Sequence, residues 1–329
     1  MQAGGKGTQP PSRPFIEIVW EEYTSMHGRQ FGRMALLCAS LIWGSSFFVM
    51  KNAVDGIPVF LLLAIRFTMG LALLAAVFCK RLKKMTGRVA VHGIMAGILL
   101  CGAYSVQTFG LTGTTPGKNA FLTAVYCVLV PFVHWAVDRK KPTGWNFLAA
   151  GMCLAGIGLV SLDGGEMTLQ WGDGLTLVSG VIYALHIVFL SRFGQEDDPI
   201  LLTVVQFATV AALCWGIGLC TEKMPAALPE GVWLELGFLG IFATGIAILC
   251  QTVGQSVTPA AQSSILLSLE SVFGVLFSVI FYHEQVTGQL LAGFALIFLA
   301  VLASETQFAF LRPRRKELAD APKNETCAK

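Results

Sequence analysis

Residues 43–67 read WGSSFFVMKNAVDGIPVFLLLAIRF, and residues 183–207 read YALHIVFLSRFGQEDDPILLTVVQF. Laid over each other at a constant offset of 140, they match Leu61, Leu62 and Phe67 with Leu201, Leu202 and Phe207. The likeness continues downstream. Gln107, Thr108 and Gly110 correspond to Gln251, Thr252 and Gly254, Thr115 and Pro116 to Thr258 and Pro259, and Thr143 and Gly144 to Thr287 and Gly288. Each identity alone is weak, but all fall in the same order, so the chain reads as a tandem of two similar halves.

Both halves are built from apolar runs. A helix needs about 20 mainly apolar residues to cross a bilayer, and ten such segments begin near Met34, Pro58, Val89, Pro116, Trp145, Gly172, Pro199, Gly231, Pro259 and Gly288, the last ending near Ser304. Pro58, Pro116, Pro199 and Pro259 stand at or near first helical positions, where a missing N–H costs nothing. Composition agrees: 54% of the residues are apolar and 13% charged, against about 25% charged in soluble domains. A water-soluble surface cannot be built from that. The 35 glycines suit helices that must approach closely inside a membrane.

Five spans per half is an odd number, so the second half must enter the membrane upside down relative to the first. The charges follow. With the N-terminus inside, inner segments hold fifteen lysines and arginines (Arg29, Arg33, Lys80, Arg81, Lys83, Lys84, Arg88, Arg139, Lys140, Lys141, Arg192 and the Arg312 to Lys316 cluster), and outer loops only Lys51, Lys118 and Lys223. The loop Asp138-Arg139-Lys140-Lys141 becomes Tyr282-His283-Glu284-Gln285 in the second half and loses its lysines and arginine as it moves outside. The expected fold is therefore an all-α membrane protein of ten transmembrane helices in two inverted five-helix repeats, residues 34–162 and 172–304, with cytoplasmic tails at 1–33 and 305–329. Residues 1–30 carry prolines and glutamates and no apolar run, so they are no secretory signal.

Soluble-enzyme signatures are missing. There is no phosphate-binding glycine loop, no His-Glu-x-x-His and no Gly-x-Ser-x-Gly, so the expectation is a non-enzyme with no catalytic residues and no metal, and no nucleic-acid partner is expected. Nine cysteines include no Cys-x-x-Cys, and eight lie in or at the ends of apolar segments, as small packing residues do.

The motifs Leu41-Ile42-Trp43-Gly44-Ser45-Ser46 and Ala64-Ile65-Arg66-Phe67, the run from Ser263 through Leu269-Glu270-Ser271-Val272-Phe273 to His283-Glu284, and Gly288-Gln289-Leu290-Leu291-Ala292-Gly293 resemble the EamA family of the drug/metabolite transporter superfamily over nearly all of residues 34–304. The resemblance implies two inverted five-helix repeats and cofactor-free export or exchange of small metabolites, often amino acids or related compounds. Two departures stand out. Where the family often has Glu-Pro this chain has Glu270-Ser271, and its usual Gly-Glu is His283-Glu284 here, with Arg139-Lys140 at the first-half counterpart.

Two ionisable residues fall well inside spans. Arg66 and Glu270 would each cost roughly 2.5–3.5 kcal/mol at the bilayer centre on insertion scales, so both must face protein or water. Arg66 can grip an anionic group of a substrate bidentately, or serve as an internal hydrogen-bond partner, of helix-end carbonyls or of Glu270. Glu270 is the one carboxylate near the centre of any span and the candidate for coupling transport to protons. A ring of aromatic and polar residues can line a substrate cavity: Trp43, Ser45, Ser46, Tyr104, Gln107, Asn119, Tyr126, Tyr183, His186 and Gln206. The same residues could instead bond neighbouring helices. Gly93 and Gly97, a G-x-x-x-G pair, mark a close helix crossing.

The function these features support is secondary transport of a small molecule across the cell membrane by alternating access, in a bacterial inner membrane, with the bilayer and the substrate as partners and a homodimer left open. A nucleotide-sugar carrier, a membrane enzyme on a lipid-linked substrate and a non-transporting scaffold are the competing readings.

Overall fold

The computed structural model describes residues 28–307 except 140, 164–165, 168–169, 194–196, 224, 226–227, 230 and 258–259. Most of both tails therefore lies outside the described residues, as do Lys140, Thr258, Pro259 and the Ser263 side chain. In chain order the long helices are α1 (Gly28–Gly56), α2 (Val59–Val77), α3 (Gly87–Thr112), α4 (Pro116–Thr123 and Val125–Asp138), α5 (Gly144–Ser161), α6 (Trp171–Phe193), α7 (Pro199–Thr221), α8 (Val232–Gly237, a π-helical stretch Phe238–Ile246, and Ala247–Val257), α9 (Ala260–Phe281) and α10 (Gly288–Thr306). Eight of them are long and apolar enough to cross a membrane, and α5 and α9 contribute shorter apolar stretches, Gly144–Val160 and Leu266–Phe281. A two-residue ribbon, β1 (Leu162–Asp163) with β2 (Glu166–Met167), is the only strand pairing among the described residues. The chain is an all-α membrane protein.

Helix starts follow local chemistry. Thr86, Thr115 and Thr287 cap α3, α4 and α10 by accepting from Val89 N, Lys118 N and Leu290 N. Asp198 caps α7 from Ile200 N at 2.9 Å, with Pro199 at the first helical position, where its lack of an N–H is harmless. One expected boundary moves: α1 is already helical at Gly28, the first described residue, ahead of the apolar stretch that starts near Met34. Two spans are also less regular than their sequence suggests. α4 tightens at Ala124, where Cys127 N bonds Ala124 O, and carries Pro131 in its interior. α8 widens into the π stretch.

Contacts between helices recur when each is exchanged for the helix five places along. The contact of α1 with α9 has its counterpart in α6 with α4, that of α3 with α6 in α8 with α1, and that of α3 with α7 in α8 with α2, while α2 with α7, α4 with α9 and α5 with α10 map onto themselves. The α3–α7 crossing rests on Gly93 and Gly97, where an added Cβ would lie 2.6 Å from the Cβ atoms of Val205 and Thr209. The largest buried cluster, with Phe67 and Phe207 in edge contact at 5.4 Å, joins α2 and α7.

The two ends of the bundle differ. At one, Asp197 takes Arg88 at 3.1 Å and His92 at 2.7 Å, and Arg81 reaches Asp198 at 3.5 Å. At the other, backbone groups at helix ends are satisfied by buried or half-buried charges. Glu222 accepts from Phe60 N and Leu61 N at the start of α2 (2.8 and 2.9 Å), Lys51 Nζ donates to Leu111 O at the end of α3 (3.0 Å), and Glu284 accepts from Gly117 N (3.0 Å) and the Thr115 hydroxyl at the start of α4 and from the Ser278 hydroxyl of α9.

Candidate functional site

Between the halves lies a cavity of about 170 Å³. Helix α1 supplies Trp43, Ser46, Phe47 and Met50 to its wall, α2 Arg66, α3 Leu100, Tyr104, Gln107, Thr108 and Leu111, α4 Asn119, Thr123 and Tyr126, α6 Tyr183, His186 and Ile187, α8 Ile248 and Gln251, and α9 Glu270. Helices α5, α7 and α10 supply none of it. The wall is itself repeated. Trp43 with Tyr183, Ser46 with His186 and Phe47 with Ile187 keep the 140-residue offset of the first two spans, and Tyr104 with Ile248, Gln107 with Gln251 and Tyr126 with Glu270 keep the spacing of 144 set by Gln107 and Gln251. Glu270 thus stands where the first half has a tyrosine.

Arg66, 2% exposed, is held by three elements. Its Nε donates to Thr244 Oγ1 at 2.6 Å, and its guanidinium carbon lies 4.9 Å from the Tyr104 ring centre and 5.8 Å from that of Phe67. Thr244 donates in turn to Leu239 O, five residues back, at 2.8 Å, so the π stretch of α8 aims the hydroxyl at Arg66. In the same stretch Ala243 O accepts from Trp43 Nε1 at 2.8 Å. Among the described residues no hydrogen-bond partner occupies the two terminal nitrogens of Arg66, so the planar fork keeps its bidentate face.

Glu270 is 8% exposed and has no hydrogen bond or ion pair among the described residues, and none joins it to Arg66. It sits where α1 crosses α9 on Gly44. A Cβ there would come within 2.9 Å of Glu270 O and 3.0 Å of Gly274 N, so the glycine of the Trp43-Gly44-Ser45-Ser46 motif lets the two backbones meet.

The other polar groups brace one another. Tyr183 Oη donates to Gln107 Oε1 and Gln107 Nε2 to Thr123 Oγ1, each at 2.9 Å. Asn119 Nδ2 donates to Thr176 Oγ1 at 2.7 Å. Tyr104 and Tyr183 meet edge to face at 5.7 Å, and Tyr126 lies 6.1 Å from Tyr183. Such bracing leaves a wall in which aromatic rings and aliphatic side chains stand among fixed polar atoms.

Of the candidates read from sequence, Trp43, Ser46, Arg66, Tyr104, Gln107, Asn119, Tyr126, Tyr183, His186 and Glu270 share this cavity. Gln206 does not line it. It lies behind the wall and accepts from His186 Nε2 at 2.8 Å, because α7 packs on the outer side of α2 and α3. Ser45 likewise donates to Ile42 O instead of lining the cavity. Sequence reading missed Gln251, which the repeat itself marks as the partner of Gln107, and Thr244, which no local signal marks.

The model of the EamA-like transporter family matches residues 30–162 and again residues 170–305. An uncharacterised transporter of Archaeoglobus fulgidus is 30% identical over 274 residues, covering 83% of this chain and 85% of its own. The uncharacterised inner membrane transporter YedA of Escherichia coli is 25% identical over 239 residues, 70% of this chain and 76% of its own. A biotin transporter of Escherichia coli is 24% identical over 207 residues, 60% of this chain and 66% of its own. A protein of known crystal structure superposes with a TM-score of 0.62 at 22% identity, over 86% of this chain and 98% of the other, a likeness of fold.

Proposed function

The chain belongs to the EamA-like transporter family and is a multi-pass membrane transporter, and from that premise we propose that it exports a small metabolite, an amino acid or related compound, across the cell membrane by alternating access. Its ten helices form two inverted halves that rock about the cavity between them. The observation that carries this reading is that the cavity is walled by repeat-related residues of both halves and holds one buried guanidinium with a free bidentate face.

In this reading Arg66 takes an anionic group of the cargo, most simply a carboxylate, while Trp43, Tyr104, Tyr126 and Tyr183 pack its apolar part. Glu270 exchanges a proton with one side or the other as the halves rock, so that transport is secondary and proton-coupled. The relatives favour the plasma membrane as its site, one of them being named an inner membrane transporter. The cargo named for another relative, biotin, is a carboxylic acid, which suits a guanidinium. A nucleotide sugar suits the cavity less. Arg66 is the one lysine or arginine lining it among the described residues, too little for a diphosphate.

A thermal-shift screen of amino acids and related carboxylates on the purified protein tests the binding half of this reading. A ligand at 100 times its dissociation constant stabilises by about 2.7 kcal/mol. Stabilisation by such compounds is expected in the wild type and not in Arg66→Ala. A panel that shifts neither protein contradicts the reading.

A further inference from the structure

Thr244, 1% exposed, lies where α2 and α8 approach closely. An added Cβ on Gly70 would come within 2.7 Å of Thr244 Cγ2, and one on Gly240 within 2.7 Å of Met69 Cβ and 3.2 Å of Arg66 O. These two glycines bring the helices near enough for a side chain as short as threonine to reach Arg66 Nε at 2.6 Å. The hydroxyl proton of Thr244 is committed to Leu239 O at 2.8 Å, so toward Arg66 the oxygen can only accept. That carbonyl lies five residues back, the step of the π stretch, where a regular α turn would offer Gly240 O instead. The Tyr104 ring, 4.9 Å from the guanidinium carbon, bounds the group on one face, and the Thr244 bond fixes its rotation. The Nε edge thus belongs to α8, and the two terminal nitrogens are what is left for a cargo. A long side chain held in this way loses its rotamer freedom on folding rather than on binding, and that preorganisation raises affinity.

We propose that Thr244 is a positioning residue for the cargo site: it touches no cargo, and it sets the affinity by clamping Arg66 with the end of its fork presented to the cavity. The inference rests on the reading of Arg66 as the carboxylate site. The hydroxyl comes from the second half and the guanidinium from the first, so the site is complete only while α8 lies on α2.

The test compares Thr244→Ser with Thr244→Ala in the purified full-length protein. Both lose the methyl group that packs on Gly70, and only serine keeps the hydroxyl. Equilibrium binding is measured for alanine, leucine, phenylalanine, lactate and biotin. Those that bind the wild type are expected to bind Thr244→Ala roughly tenfold or more weakly, and Thr244→Ser within about twofold of the wild type. Heteronuclear NMR with labelled arginine reads the clamp itself, without ligand. The Arg66 Nε–H signal, identified by its loss in Arg66→Lys, is expected to exchange slowly with water, to keep its position in Thr244→Ser and to move in Thr244→Ala. Equal affinity in the wild type and Thr244→Ala overturns this proposal and leaves Arg66 its role, as does equal weakening in both variants, which assigns the effect to packing. Failure of all five compounds to bind the wild type overturns the Arg66 reading and this proposal with it. A wild-type Nε–H that exchanges as fast as that of free arginine overturns the proposal even where Thr244→Ala does not fold.

Discussion

Arg139 and His283, 144 residues apart, both take left-handed backbone, with φ of 59° and 57°. Each closes a helix, Arg139 ending α4 with its N–H on Trp135 O, and His283 following α9, where Tyr282 N bonds Ser278 O. A left-handed residue at this position is an ordinary helix ending, and glycine suits it best because a Cβ is strained there. The halves therefore repeat in backbone conformation at a point where their side chains no longer match.

His283→Gly should therefore stabilise the protein by about 1 kcal/mol, the relieved strain exceeding the entropy that glycine adds to the unfolded chain. His283 is exposed, so little packing is lost. Thermal unfolding measures it, and a lower midpoint in the variant would speak against strain at this turn.

Reporter fusions should place residues after Lys84 inside and residues after Lys223 outside. Helix α2 starts under Glu222 and leads to Arg81 beside Asp198, so the two fusion points lie at opposite ends of the bundle. Both reporters on one side would be incompatible with inverted halves.

Arg66→Lys should weaken cargo binding roughly tenfold or more while the protein still folds. Lysine keeps the charge but loses the fork, the stacking on Tyr104 and the Nε bond to Thr244. Unchanged affinity would make Arg66 a structural residue.

Glu270→Gln should abolish uptake driven by a pH gradient and spare counterflow exchange, because it keeps the shape of the side chain and removes its titration. The charged and titratable groups that share the cavity with Glu270 are Arg66, Tyr104, Tyr126, Tyr183 and His186. Coupling requires that proton and cargo favour different states of the cycle. A variant still driven by the gradient would move the coupling elsewhere, and His186→Gln is then the next to measure.

Much of this was legible in the sequence because apolar length and proline position are local signals. Pro116, Pro199 and Gly288 begin helices as read, and Arg66 and Glu270 stood out because charge inside an apolar run is rare. What was hidden depends on packing between distant segments. Nothing in Phe238–Ile246 announces a π turn, which places Thr244 on Arg66 and Ala243 O on Trp43 across more than a hundred residues of chain. Gln206 read as a wall residue because its depth in the membrane is right. Its helix face is not, and only the packing of α7 behind α2 and α3 puts it in contact with His186.

The central claim is that the protein carries a small carboxylate-bearing metabolite through the cavity at Arg66, and counterflow in proteoliposomes tests it most directly. Vesicles preloaded with an unlabelled amino acid should accumulate the same compound in radiolabelled form from outside, above protein-free vesicles, and those with Arg66→Lys should need more substrate to do so. Wild-type vesicles that accumulate no amino acid or related carboxylate above the protein-free control would contradict it.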